Sequence, residues 1–140
     1  PLWRVATRTV TINKFMIRPE LIKAIDAVTA TTVSEPINIE NAEKISLVFT
    51  RANHSAGSSA FSVEVSLDGI TYVAFNKLIT NVTNTNAQTK TRVASVSLAS
   101  NTSSIVAMDL ENDIFRWMRI TATETTDGTH TAKALIQRHA

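Results

Sequence analysis

Along the middle of the chain, apolar and polar residues alternate with a period of two. Phe61, Val63, Val65 and Leu67 interleave with Ser62, Glu64 and Ser66. Successive side chains of a strand point to opposite faces, so this run predicts a strand with one dry face and one wet face. A slip of one residue would bury Glu64, which fixes the register. Val63 and Val65 are expected inward and Glu64 outward. Asp68-Gly69 follows, a pair suited to a tight hairpin because glycine accepts positive φ. Thr71 to Leu78 is then expected to return beside the first strand. Upstream, Ile45, Leu47 and Phe49 alternate with Ser46, Val48 and Thr50. Val48 makes both faces apolar, as in the middle of a sheet. Arg51 to Ala60 is small and polar and reads as an exposed loop.

Downstream, Asn81 to Thr91 reads as a long polar loop, and Ala94, Val96 and Leu98 then alternate with Ser95 and Ser97. Asn101 to Ser104 is expected to turn the chain, and Ile105 to Leu110 to form a short strand. Met118, Ile120 and Ala122 alternate with Trp117, Arg119 and Thr121. Asp127-Gly128 marks a second hairpin, closed by Thr131 to Gln137. At the start, Val5 to Ile17 is rich in β-branched residues and reads as one long strand, stopped by Pro19, which lacks a ladder N–H. After it two periods compete. Leu21, Ile22, Ile25 and Val28 have helical spacing, while Ala24 to Val33 suits a Thr-rich strand, and strand is preferred. Roughly seven to nine short strands with regular turn signals predict an all-β fold, an antiparallel β-sandwich or jelly roll. The expected organisation is an N-terminal arm or first strand over residues 1–20 and a sandwich domain over residues 21–140.

Composition agrees. The 140 residues include 20 threonines, 12 serines and 10 asparagines, whereas charged residues are only 19%. Threonine suits half-buried strands, and serine and asparagine suit turns. There is no cysteine, so no disulfide supports the fold. A chain of this size can bury a core without one. No apolar run approaches the ~20 residues of a membrane span. Pro1-Leu2-Trp3-Arg4 carries no apolar stretch of the kind that marks a secretory leader. Net charge is +2, unevenly spread: residues 1–23 sum to +4 and residues 24–70 to −4. Attraction between a basic leading segment and an acidic middle of another copy is one consequence; solvated strand faces are the plainer one.

Candidate chemistry is sparse. His54, His130 and His139 are far apart in sequence, whereas a metal or hydrolytic site needs several convergent ligands. With three glycines the chain shows no phosphate-cradling loop and no nucleophile elbow. Asp109, Glu111 and Asp113 read either as a calcium ligand set or as a charged loop, with the loop preferred. No basic stripe with interleaved aromatics suggests nucleic acid. No catalytic residue, cofactor or metal is therefore expected, and the chain is read as a non-enzyme. Trp3, Tyr72 and Trp117 are the aromatics available for a sugar platform, Tyr72 and Trp117 being the alternative ligand pair. Trp3 lies in the terminal segment, where an aromatic can anchor on a partner. Leu2, Trp3, Arg4, Val5, Arg8, Val10, Ile12 and Phe15 are the expected assembly interface.

Several segments together carry a resemblance. They are Ser34-Glu35-Pro36-Ile37-Asn38-Ile39, Ile45 to Phe49, Val63 to Tyr72, Phe115 to Thr123 and Thr131 to Ile136. In these pieces the chain resembles phage virion β-sandwich proteins, both capsid decoration proteins and tail-associated domains. It is also similar to discoidin-type carbohydrate-binding jelly rolls, through the Ser66-to-Tyr72 run and the late Phe115-to-Thr123 strand. The lack of a cysteine pair and the extra basic arm favour the virion likeness. That likeness implies a capsid decoration subunit that forms homo-oligomers, partners a major capsid protein and resides in the virion. The alternatives are a glycan-binding module of a tail fibre or secreted protein, or a subunit of an extracellular filament.

Overall fold

The computed structural model describes residues 18–82 and 89–139. Twelve strands form there: β1 (Glu20–Val28), β2 (Thr32–Val33), β3 (Ile37–Asn38), β4 (Ala42–Ala52), β5 (Ser59–Ser66), β6 (Val73–Phe75), β7 (Leu78–Ile79), β8 (Arg92–Val93), β9 (Ser95–Leu98), β10 (Thr102–Met108), β11 (Trp117–Glu124) and β12 (Thr129–Arg138). They make two antiparallel sheets. One has the order β1-β12-β4-β10-β7-β8. In the other, β11 and β5 are central; β2 and β3 share the free edge of β11, and β6 and β9 share that of β5. The all-β sandwich expected from the periodicity is the fold.

The core lies between the sheets and follows the period-two pattern. Ile45, Leu47 and Phe49 of β4 face Phe61, Val63 and Val65 of β5, all nearly or fully buried. Phe49 and Phe61 stack with ring centroids 4.7 Å apart. Room for them comes from alanines directly across each ladder, Ala132 beside Phe49 and Ala122 beside Phe61. Alternating large and small side chains lets the layers interdigitate. Glu64 sits on the outer face, where Arg119 Nε donates to its carboxylate at 3.0 Å. Val48 is half-buried on the outer face of its own sheet, between Ile105 and Lys133.

Several boundaries differ from the expectation. Leu67 is not inward; β5 ends at Ser66 and Leu67 is 64% exposed. Asp68-Gly69 does not close a two-residue hairpin. Val65 pairs with Val73, and the long connection is built around the Asp68 carboxylate, which accepts from the N–H groups of Ile70 and Thr71. The single return strand is split: β6 stays beside β5, and the chain then crosses to β7 in the opposite sheet. Asp127-Gly128 is likewise a cross-sheet link, since β11 and β12 belong to different sheets. Ala94 marks another such crossing, between β8 and β9. The turn at Asn101 is shorter than expected, with β10 beginning at Thr102. Leu21 to Val33 is strand, as preferred over the helical reading, but in two pieces, β1 and β2. Here Ser34 bridges the break between β2 and β3, its hydroxyl taking the ladder bond from the Ile120 N–H at 2.9 Å. The expected strand from Val5 to Ile17 and the centre of the 81–91 loop lie outside the described residues.

Candidate functional site

Arg51 and Ala60 mark the ends of the segment expected to be a loop, yet both belong to strands. The consequence is chemical. Each inner strand continues its inward alternation by one step, and at that step the residue is polar. Arg51 and His130 are cross-strand neighbours in one sheet, and Ser59 and Glu124 in the other. The four meet inside one end of the sandwich. Arg51, His130 and Ser59 are essentially fully buried. Arg51 donates to the carbonyls of Ala56 and Gly57 at 2.8 Å and to that of Asp127, and its guanidinium lies 3.5 Å from Glu124 Oε1. Asp127 in turn accepts from the N–H groups of Ser55 and Ala56 and from the Ser55 hydroxyl. These bonds hold its carboxyl down at about 2, with Arg51 contributing. Burial pushes the Glu124 carboxyl up, but the Thr126 N–H, the Ser59 hydroxyl, Arg51 and His130 together bring it below the ordinary range. Gly57, at φ 73°, closes against Thr125 and Thr126, where a side chain would overlap them.

A serine, a histidine and a glutamate in contact invite comparison with a catalytic triad, and the geometry differs from one. In a triad the nucleophile and the acid occupy opposite ring nitrogens. Here Ser59 Oγ and Glu124 Oε2 both face His130 Nδ1, at 3.5 and 3.4 Å, while Ser59 donates to Glu124. His130 Nε2 donates to the Ala30 carbonyl at 2.8 Å. A carbonyl only accepts, so that nitrogen carries the proton and is not available as a base. The cluster ties the β4–β5 loop, the β11–β12 link and the β1–β2 turn together.

The opposite end carries exposed apolar side chains among polar ones. Loops 67–72 and 109–116 lie side by side there, joined by the Arg116 N–H to the Ser66 carbonyl. Phe115 is anchored edge-on to Phe75 at 6.0 Å. It lines two clefts, one of about 430 Å³ with Val65, Leu67 and Val73, and one of about 370 Å³ with Ile39, Leu110 and Ile114. Around them Leu67, Ile70, Val73 and Ile114 are 64%, 84%, 59% and 80% exposed. Periodicity does not flag Ile70 or Ile114, because neither belongs to an alternating run.

The expected ligand pair, Tyr72 and Trp117, is half-buried near this end. The Arg119 guanidinium stacks over the Tyr72 ring, 4.1 Å from its centroid, and the Trp117 indole edge packs under Gly69. Part of each ring is thus already covered by the protein itself. Asp109, Glu111 and Asp113 do not converge: Asp109 and Glu111 face Arg92, and Asp113 pairs with Lys77. Among the described residues no group of three or more ligating side chains could hold a metal. The expected assembly residues Leu2, Trp3, Arg4, Val5, Arg8, Val10, Ile12 and Phe15 lie outside the described residues.

No protein-family model matches the sequence, and no curated protein does. Solved structures do match in shape. The SPBc2 prophage-derived protein YomS aligns with a TM-score of 0.59 at 9% identity, over 85% of this chain and 93% of that one. The chain shares that protein's fold. A Bacillus endospore appendage protein, from disulfide-linked pili, aligns at 0.46 with 12% identity, over 89% and 92%. A chain of infectious bursal disease virus, Gx strain, aligns at 0.49 with 12% identity, over 88% of this chain but 33% of that one, so this chain spans about a third of its length. The β-sandwich fold noted from the sequence therefore has a counterpart in a prophage-derived protein.

Proposed function

We propose that this chain is a structural, non-catalytic subunit of a virion, and specifically a capsid decoration subunit. It assembles through its sandwich and N-terminal arm, with itself and a major capsid protein as partners. The observation that carries this reading is the exposed apolar end. Three large side chains stand in solvent on two adjoining loops and a fourth, Val73, at the start of β6, and clustered apolar surface of that kind marks an interaction site. The prophage origin of the protein whose fold it shares supports a virion setting. The buried Arg51 cluster supports a rigid block, because its groups are spent on holding loops.

Sedimentation of the full-length chain over a concentration series tests self-association, and an antibody against it tests for its presence on particles released from source cells. Concentration-dependent oligomers and labelled particles are expected. A strictly monomeric chain that is absent from particles refutes the proposal. Turnover of a model ester that disappears with Ser59→Ala would refute its non-catalytic part.

A further inference from the structure

We infer that the apolar Phe115 end is the receptor for residues 1–17 of a second copy. This rests on the assembly reading above and deepens it by naming the surface and its occupant. The receiving surface comprises the two clefts that share Phe115, lined in part by Leu67, Val73 and Ile114, with exposed Ile70 on the same loop as Leu67. Three arguments select the occupant.

The first is chemical composition. Residues 1–17 offer Leu2, Trp3, Val5, Val10, Ile12, Phe15 and Ile17 for apolar pockets. An aromatic such as Trp3 is the side chain most suited to anchor in one. The second is charge. The same segment carries Arg4, Arg8 and Lys14 and no acid. Among the described residues the smaller cleft is lined by Glu43, Glu111 and Asp113 and by no lysine or arginine, with Lys77 and Arg92 meeting Asp113 and Glu111 from outside it. The apolar and the electrostatic halves of the match therefore fall on one segment and one surface.

The third is reach. The described chain begins at Arg18, just before β1, whose first residue pairs with Ile136 at the Phe115 end. The Glu20 carboxylate is held there by Arg138 at 2.6 Å. Seventeen residues extend to at most ~56–61 Å. The longest strand among the described residues, β4, has 11 residues, about 36 Å at the rise of a strand. The contour length of seventeen residues starting from this end thus exceeds the length of β4, enough for Leu2 and Trp3 to reach a neighbouring copy.

The absence of cysteine makes a direct test possible with full-length chains. Leu2→Cys chains are mixed with Ile70→Cys chains under mild oxidation, and Leu2→Cys with Ile105→Cys serves as control. Ile105 is 59% exposed but lies on the outer face of β10, away from the end. The expected result is a Leu2→Cys/Ile70→Cys disulfide dimer that forms at least ten times faster than the control pair. In parallel, Ile70→Asp combined with Ile114→Asp, both highly exposed positions, keeps the wild-type melting temperature and weakens self-association at least tenfold. Three results overturn the inference. They are a disulfide within one chain in the Leu2→Cys/Ile70→Cys double variant at high dilution, a predominance of Ile70→Cys homodimers, and linkage no faster than the control. If the wild-type chain still oligomerises in those cases, only the docking surface fails. If the wild type is monomeric throughout, the assembly reading fails with it.

Discussion

Replacing Arg51 with methionine should cost more stability than any other single exchange of a charged residue among those described. The guanidinium is buried, and its bonds reach the carbonyls of Ala56, Gly57 and Asp127 and the Glu124 carboxylate. Methionine keeps most of the volume and removes every donor. Among the described residues it leaves a buried carboxylate facing only His130, Ser59 and the Thr126 N–H. Breaking one side of a buried charged pair costs ~3–5 kcal/mol. With an unfolding entropy of ~2.1 cal/mol/K per residue, that is a fall of about 10–17 °C in melting temperature for a chain of this length. Thermal unfolding followed by circular dichroism measures it, with urea unfolding as a check on the free energy. Adding Glu124→Gln should recover part of the loss, because the stranded charge is then gone; a coupling of ~1–3 kcal/mol is expected from groups in direct contact. A loss below ~1 kcal/mol for Arg51→Met, the value of an exposed ion pair, would refute the reasoning. Strict additivity of the two exchanges would refute the coupling.

Val65→Asp should abolish folding, since Val65 is 2% exposed between the sheets and an unpaired buried charge costs several kcal/mol. Glu64→Gln, one residue away on the outer face, should cost only ~0–1 kcal/mol; a Val65→Asp protein that melts like the wild type would mean that the register is wrong. Acid should destabilise the chain in a defined window. The Asp127 carboxyl is depressed from 3.8 to about 2, so its contribution is complete above pH 3.8 and is lost as pH falls from there through about 2. The Thr71 and Ile70 N–H groups and the Ser66 hydroxyl depress Asp68 as well, and Glu124 is also lowered, so all three act in the same direction. Melting temperature recorded against pH should fall below pH 4, and Asp127→Asn should flatten that fall; an unchanged slope would show that the bonds to Ser55 and Ala56 do not form.

The fold was legible where alternation is long and uninterrupted. Val63, Val65, Met118, Ile120 and Ala122 each fall on the buried face that the period of two assigns them, because a sandwich buries one side of every inner strand. Turn chemistry misled where it was read locally. Asp127-Gly128 has hairpin composition, but hairpin formation also requires both flanking strands to share a sheet, and here they do not. Nothing in a dipeptide encodes that choice. The polar cluster was missed for a related reason. Arg51 continues the series Ile45, Leu47, Phe49 at the same spacing, and His130 precedes Ala132, Ala134 and Ile136 in the same way. Extending each alternation by one step through a polar residue would have placed both inside. Reading polarity as exposure instead ended the strands too early.

The two ends of the sandwich satisfy their loops by opposite means, and this separates stability from association. At one end the backbone carbonyls are taken up by Arg51, and the Asp127 carboxylate by the backbone of Ser55 and Ala56. That end is closed on itself. At the other, the Asp68 and Arg138 bonds organise the backbone, while the apolar side chains above them are left in water. Water contact at Ile70 or Ile114 contributes little to the folded chain, so polar substitutions there should move the association constant and leave the melting temperature in place. Arg51→Met should do the reverse, lowering the melting temperature while leaving association unchanged at temperatures well below it. Measuring both quantities for both variants decides the matter. If the two move together in each variant, folding and assembly are a single transition, and the sandwich is not a preformed block onto which a partner docks.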